Sequence, residues 1–176
     1  MGKGWVKKIF TDKKGFIYRL IYKDGKYSIK NEWGEQIIPW VDDIFVRGFL
    51  IGESEYIMVL NEDKYAIFHK SGKQVSKWFQ KIYTVGLIEG KSDYYKAVEK
   101  NKCMLFHKER GIIAKDFEEI KIDGLVMGES KYFIGKKNGK EAIFNEKGER
   151  ITPWYDFIIE KGFIKGQSEF YVVKKK

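Results

Sequence analysis

The chain has 176 residues, 43% of them hydrophobic and 16% aromatic, and 34 basic against 25 acidic residues give it a formal net charge of +9. This composition excludes a disordered chain, which would be poorer in apolar residues, and the single Cys103 excludes an intramolecular disulfide. No apolar run is long enough for a membrane span or a leader, so the sequence predicts a cytoplasmic protein.

One segment of the chain recurs at an interval of 38 residues. Residues 48–56 return at 86–94, 124–132 and 162–170, each time with two glycines, a serine and an aromatic residue. A second segment keeps the same interval and begins at Lys26, Lys64, Lys102 and Lys140. Self-similarity of this kind predicts one repeat domain over residues 1–176. Its predicted parts are an N-terminal half repeat (1–25) and four repeats (26–63, 64–101, 102–139 and 140–176).

Tight turns separate the short apolar runs. In chain order they fall at Asp24-Gly25, Glu62-Asp63, Lys100-Asn101 and Asn138-Gly139, and most of these residue types tolerate the positive φ of two-residue hairpins. Between residues 45 and 77 the pattern predicts four strands, over 45–51, 55–60, 64–69 and 73–77. No segment has a sustained helical period, so the predicted fold class is all-β.

The arrangement of the repeats has two candidates. The chain contains five copies of the glycine-rich half and four of the other half, and these unequal counts favour an open, curved or superhelical β-stack. The alternative is a small β-propeller of four or an incomplete five blades, because four strands in about 38 residues is the size of a short blade.

Two stretches resemble a known repeat family. They are residues 148–158 (GERITPWYDFI) and 34–44 (GEQIIPWVDDI), and they are similar to the WG, or KWG, repeat of bacterial proteins. The Trp-Gly pair of that family is replaced here by Tyr-Ser, Tyr-Ala, Cys-Met and Glu-Ala, so the chain resembles a divergent member. The resemblance implies a β-rich interaction module without enzymatic activity, and it supplies no catalytic residues.

The polar residues that could carry chemistry occupy repeated positions. His69 and His107 stand where the other copies have Asn31 and Asn145, which favours polar loop residues over metal ligands. The recurring serines 54, 92, 130 and 168 follow a glycine by two residues, where a hydroxyl bonds nearby backbone groups. We therefore predict no catalytic residue, no cofactor and no bound metal.

A specific binding surface is expected where the repeats differ. The third repeat has Asp116 where the others have tryptophan, and Lys108 and Arg110 lie in the loop before it. The predicted partner-binding residues are Lys108, Arg110, Asp116, Trp40, Trp78 and Trp154.

These features predict a non-enzymatic protein-binding module of bacterial or phage type that presents an extended basic surface. Its partner is expected to be an acidic or nucleic-acid-handling protein, which the module would modulate or inhibit. One alternative is non-specific binding of RNA or DNA through a lysine-rich aromatic face. However, only four of the 34 basic residues are arginines, the residue type that reads bases best. A second alternative is a lectin-like module that binds glycans.

Overall fold

The structure is a computed structural model and describes residues 4–175. Strands make up 48% of the chain and helix 2%, which confirms the all-β prediction. The chain divides into two compact units. The N-terminal unit is the chain up to Gln80 together with Ile88–Gly90, and the C-terminal unit is Lys81–Leu87 together with the chain from Lys91 onward. Residues 1–3 and 176, which belong to the predicted half repeat and last repeat, lie outside the described residues.

The N-terminal unit contains two antiparallel sheets. Sheet A is a meander in the order β1-β2-β3-β4, and sheet B has the order β5-β6-β7. Bridges between Tyr65 and Phe79 and between Phe68 and Gln74 add a fourth, irregular segment to sheet B in place of the predicted strand over 73–77. The strands are β1 (Trp5–Thr11), β2 (Ile17–Lys23), β3 (Lys26–Lys30), β4 (Gln36–Val41), β5 (Asp43–Phe45), β6 (Tyr56–Asn61) and β7 (Lys64–His69).

The prediction of a strand over 45–51 is wrong beyond Phe45. The helical turn α1 (Arg47–Leu50) follows instead, and the chain then reverses. The reversal occurs because Gly52 has a φ of 72° and the N–H groups of Glu53 and Ser54 both donate to the Gly48 carbonyl. These bonds close the segment on itself, so it cannot join a strand ladder.

The C-terminal unit contains three antiparallel sheets. Sheet C has the order β8-β9-β10-β11, sheet D the order β12-β13-β14, and sheet E pairs β15 with β16. Bridges from Glu141 to Tyr155 and from Phe144 to Arg150 extend sheet D as in sheet B. The strands are β8 (Lys81–Ile82), β9 (Tyr94–Glu99), β10 (Lys102–His107), β11 (Gly111–Phe117), β12 (Glu119–Ile120), β13 (Tyr132–Lys137), β14 (Lys140–Asn145), β15 (Phe157–Ile158) and β16 (Val173–Lys174).

All four predicted hairpin turns are present with left-handed backbone at both central residues. Asp24-Gly25 and Asn138-Gly139 have the residue types that such turns favour. Glu62 and Lys100 adopt φ values of 49° and 50° although neither residue type favours them. The long strand pairs on either side hold these two residues in place, since β6 and β7 pair over six residues and so do β9 and β10.

The sheets cross the boundaries of the sequence repeats. In sheet B, β5 and β6 come from residues 26–63 and β7 from 64–101, and in sheet D the boundary at residue 139 likewise falls between β13 and β14. In both sheets a strand of one repeat therefore pairs with a strand of the next, which makes these neighbouring repeats interdependent for folding.

The recurring glycines lie where successive glycine-rich turns touch. In the N-terminal unit a Cβ at Gly48 would lie 2.1 Å from the Ile88 carbonyl oxygen, and a Cβ at Gly90 would lie 2.1 Å from that of Glu53. In the C-terminal unit a Cβ at Gly128 would lie 2.2 Å from the carbonyl oxygen of Lys91. No side chain fits at such distances, which explains why glycine returns every 38 residues.

Each unit has its own apolar core. Phe49 is fully buried in the N-terminal core with Ile29, Ile38 and Ile57, and Phe133 is fully buried in the core of the C-terminal unit. An antiparallel meander of about four strands, as in sheets A and C, has the size and topology of a propeller blade. The choice between an open stack and a ring stays a prediction.

Candidate functional site

The recurring serines serve the turns, as predicted. In each copy the N–H of the aromatic residue two positions later donates to the serine hydroxyl, at 3.0 to 3.3 Å. A hydroxyl that accepts a backbone N–H in this way stabilises the reversal after the glycine.

The two histidines also have the predicted loop role. The Oδ1 of Asn31 accepts N–H bonds from Trp33 and Glu35, and the Nδ1 of His107 accepts N–H bonds from the loop that follows it. The Nδ1 of His69 accepts the N–H of Ser71 at 3.2 Å. Imidazole and amide thus close the same type of loop. Across residues 4–175 no three His, Cys, Asp or Glu side chains form a group that could hold a metal ion.

The loop after β10 carries two of the predicted partner-binding residues. Arg110 donates to the Tyr94 hydroxyl and its guanidinium lies 5.7 Å from the centre of the same ring. Lys108 forms a 3.0 Å ion pair with Asp93. Glu55 and Lys70 form the equivalent pair one repeat earlier, also at 3.0 Å, so the Lys108 pair belongs to the repeating framework. Burial and the nearby Arg110 lower the pKa of His107 in this loop.

Asp116 lies at the opposite end of β11 from this loop. Gly111 pairs with His107 at the start of the strand, and Phe117 pairs with Cys103 at its end, so Asp116 is about 15 Å from the loop at ~3.3 Å per residue. Its φ of 62° places it at an irregularity of the β10–β11 register. Asp tolerates left-handed backbone better than Trp does, which is a local reason for the substitution.

The three recurring tryptophans are largely part of the framework. Trp78 packs against the N-terminal core, and Trp154 packs against the C-terminal core with its ring centre 5.9 Å from that of Phe144. Trp40, at the end of β4, is 37% exposed. The structure thus does not bring the six predicted residues together as one surface within either unit, and their role in binding stays a prediction.

A network of charged side chains lies in sheets D and E of the C-terminal unit. Lys121 forms ion pairs with Glu141 at 3.2 Å and with Glu160 at 2.8 Å, and the second carboxylate oxygen of Glu141 accepts the N–H of Ile158. Burial alone would lower the pKa of Lys121, but the hydrogen bonds to Glu160 and Glu141 raise it above the ordinary value. Lys121 therefore stays charged.

Asp123 joins this network through its carboxyl group, which in its protonated form donates a hydrogen bond to Glu160. Its hydrogen bond to Glu160, together with burial, raises the pKa of Asp123 to about 6, while Lys165 at 3.9 Å opposes the shift. In the unfolded chain an aspartate titrates near 3.9. The folded protein therefore holds a proton that the unfolded chain has lost between about pH 4 and pH 6, and its stability falls across that window as the pH rises.

We expect Asp123→Asn to remove this pH-dependent loss of folding stability. An amide keeps the hydrogen bond to Glu160 without ionising, so the variant should be about 1 kcal/mol more stable than the wild type at pH 7.5, after allowance for solvent screening. At pH 4 the two proteins should be equally stable. Urea unfolding followed by circular dichroism at both pH values measures the difference, and an equal effect at the two values would contradict the assignment.

The most exposed loop aromatic of sheet A was missed by the sequence reasoning. Trp33, in the loop between β3 and β4, is 68% exposed, and its ring centre lies 5.8 Å from that of Phe16 in the loop between β1 and β2. Both loops lie at the same end of the sheet, because consecutive strands are antiparallel. The sequence contains a signal for Trp33, because it is a large aromatic residue where other repeats have Ser71 and Lys147.

A cavity of about 170 Å³ opens beside the same β1–β2 turn. It is lined by Asp12, Lys13, Lys14, Phe49, Gly52, Ser54, Glu55 and Lys70. Lys70 lies between two carboxylates, 3.3 Å from an oxygen of Asp12 and 3.0 Å from one of Glu55. The half repeat has a tight turn here, Asp12 to Gly15, where sheet B has the helical turn α1 before β6.

The charges in this cavity are fixed by their neighbours. Burial would raise the pKa of Asp12, but N–H bonds from Phe16 and Lys14 and the contact with Lys70 lower it. Burial would lower the pKa of Lys70, but Glu55 and Asp12 raise it. Both side chains are therefore ionised at neutral pH, and the cavity and the Phe16–Trp33 pair form the candidate site.

Comparison with known proteins gives no family. No protein-family model matches the chain, and no curated protein is similar to it in sequence. Solved structures that align with it include Hsv2 of Kluyveromyces marxianus (14% identity, TM-score 0.36, 82% of this chain and 48% of that one) and BamB of Moraxella catarrhalis (14%, 0.34, 78% and 44%). A HIRA fragment, residues 644–1017, aligns at 12% identity and a TM-score of 0.37 over 88% of this chain and 54% of its own. The chain spans about half the length of these proteins.

No helix in the described part of the chain is long and apolar enough to cross a membrane.

Proposed function

We propose that the protein is a non-enzymatic binding module that engages a protein partner through the loop end of sheet A. The observation that carries this proposal is the exposed Phe16–Trp33 pair. Large aromatic side chains on loops are the residue type that contributes most to protein–protein binding energy, and a rigid sheet holds these two in position. The serines and histidines that might have suggested chemistry already serve their own turns.

The proposal keeps a basic contact surface but limits it to a few lysines beside the candidate site. Lysines directly after the hairpin turns pair with acidic neighbours, as Lys26 does with Asp42 at 2.5 Å and Lys140 with Asp156 at 3.9 Å. These lysines support the framework. Charge that acts on an acidic partner would instead come from residues such as Lys13 and Lys14 beside the candidate site, where it favours fast and selective association.

The two alternatives gain less support. Lysine ammonium groups lie over tyrosine rings, for example Lys7 at 5.0 Å from the centre of Tyr27 and both Lys81 and Lys96 at 4.4 Å from that of Tyr83. A covered ring face is a poor platform for a nucleic-acid base. The recurring aromatic position does not provide equivalent glycan pockets either, since Tyr94 is buried and Phe170 is 79% exposed.

Quantitative affinity capture from a lysate of the source organism tests the proposal. We expect the wild-type protein to recover a specific partner, and Trp33→Ala to lower the recovery at least tenfold, because the loss of a central aromatic anchor costs about 2 kcal/mol or more. Phe170→Ala is the matched control, since it also removes an exposed aromatic ring but lies in the C-terminal unit. Equal recovery by Trp33→Ala and the wild type, or no specific partner at all, would contradict the proposed function.

A further inference from the structure

We infer that the cavity beside the β1–β2 turn accepts one carboxylate side chain of the partner protein, so that the segment docking on Phe16 and Trp33 is acidic. This inference rests on the proposed function and names the chemistry of the partner. The aromatic pair and the cavity share one turn, because the Asp12 carboxylate binds the N–H of Phe16 at 3.0 Å and that of Lys14 at 2.9 Å. A short segment of a partner can therefore touch both.

The size of the cavity fits a single side chain. Pockets for drug-sized molecules occupy about 300 to 1,000 Å³, whereas this one has about 170 Å³ and the Phe49 ring in its lining. A carboxylate on a short aliphatic stem suits such a space, with the stem against Phe49 and the charged group at the lysines.

The buried carboxylate of the cavity, Asp12, has few acceptor positions left for a ligand. Asp12 is only 6% exposed at its side chain, and its oxygens already accept two backbone N–H bonds, a contact from Lys70 and the hydroxyl of Tyr18 at 3.4 Å. A carboxylate has about four acceptor positions, so Asp12 offers little to a ligand. The Asp12 charge therefore serves to hold Lys70 in place rather than to attract a cation.

The lysines supply the positive charge. Lys70 has three N–H donors and uses two of them on Asp12 and Glu55, which leaves one to bond a carboxylate oxygen in the cavity. Lys13 contacts Glu53 at 3.5 Å, but both side chains are more than half exposed and such surface pairs contribute little. Lys13 can therefore turn to an incoming carboxylate, and Lys14 adds a third ammonium group. Three lysines against Asp12 and Glu55 leave the lining with one surplus positive charge.

A titration of the ¹⁵N-labelled full chain with two peptides tests the inference. The probes are acetyl-Leu-Glu-Leu-amide and acetyl-Leu-Gln-Leu-amide, which have the same shape and differ in charge, and sodium acetate is the third probe. We expect the Glu peptide to shift the amide signals of Lys14 and Phe16 and the indole signal of Trp33, with at least tenfold weaker binding of the Gln peptide and of acetate. The double variant Lys13→Gln/Lys14→Gln should weaken binding of the Glu peptide about tenfold, while Lys147→Gln, in the C-terminal unit, should not.

Equal binding of the two peptides, no saturable shift, or shifts confined to other residues would each overturn the inference. Acetate that binds as tightly as the Glu peptide would also overturn it, because the cavity would then take free small anions. Partner capture that depends on Trp33 but not on Lys13 and Lys14 would refute the acidic contact while the proposed function stands. Failure of capture itself would refute the proposed function instead.

Discussion

Replacement of Gly90 by alanine is expected to destabilise the N-terminal unit by about 3 kcal/mol or more. Two costs combine at this residue. Its φ of 77° is left-handed, which costs an L-residue about 1–2 kcal/mol. The new Cβ would in addition lie 2.1 Å from the Glu53 carbonyl oxygen, so the two glycine-rich turns would have to move apart. Urea unfolding followed by circular dichroism measures the loss of free energy of unfolding.

Substitutions at two further glycines of the same unit measure the backbone strain and the close approach separately. Gly25 has a φ of 78° with nothing within 4 Å of a Cβ, so Gly25→Ala should cost only about 1 kcal/mol from backbone strain. Gly48 lacks a positive φ, but a Cβ there would lie 2.1 Å from the Ile88 carbonyl oxygen, so Gly48→Ala isolates the close approach. Similar losses for Gly25→Ala and Gly90→Ala would mean that the contact between turns contributes nothing.

Local features of the fold could be predicted from the sequence because they depend on residues next to each other. The turns at Asp24-Gly25 and Asn138-Gly139 need only two residues with the right backbone preference, and the serine after each Gly-x pair needs only the N–H two positions later. Repetition at 38 residues then showed that each copy has the same role. The all-β class followed from these local signals alone.

The helical turn α1 could not be predicted in the same way. Its sequence, RGFL, reads as part of an apolar strand. The N–H bonds of Glu53 and Ser54 to the Gly48 carbonyl close the turn, and the close approach of Gly48 to Ile88 holds it against the next glycine-rich turn. That contact joins residues about 40 positions apart. Tertiary contacts of this kind override local preference, and no window of a few residues contains them.

The candidate site was missed for a related reason. The expectation that a specific site lies where repeats differ pointed to Asp116 and Arg110. Both residues have a local structural role, because Asp116 adopts a left-handed backbone at a bulge and Arg110 bonds the Tyr94 hydroxyl. Trp33 also differs between the repeats, and it lies 68% exposed beside Phe16. The cavity itself depends on Lys70 reaching Asp12 across 58 positions of the chain, and only the folded sheets reveal it.

Lys121 and Glu141 form an ion pair at two repeat positions that carry a different pair of contacting residues elsewhere in the chain. The equivalent residues of sheet B are Phe45 and Tyr65, two aromatic rings with centres 6.2 Å apart. In sheet D the side chain of Lys121 is 13% exposed and that of Glu141 is 6% exposed. Two charges at such depth are tolerated only together, since each loses hydration that the other must replace.

Lys121→Met is therefore expected to destabilise the C-terminal unit by about 3 kcal/mol, because it leaves Glu141 buried without its cation. Adding Glu141→Gln should recover more than half of this loss. Glutamine has no charge to compensate, and its side-chain oxygen can still accept the N–H of Ile158 that Glu141 binds at 2.8 Å. Urea unfolding of the wild type, both single variants and the double variant gives the coupling free energy of the pair. Additive losses in the double variant would show that Lys121 and Glu141 act independently, and the large effect would then have to come from the packing of the lysine stem.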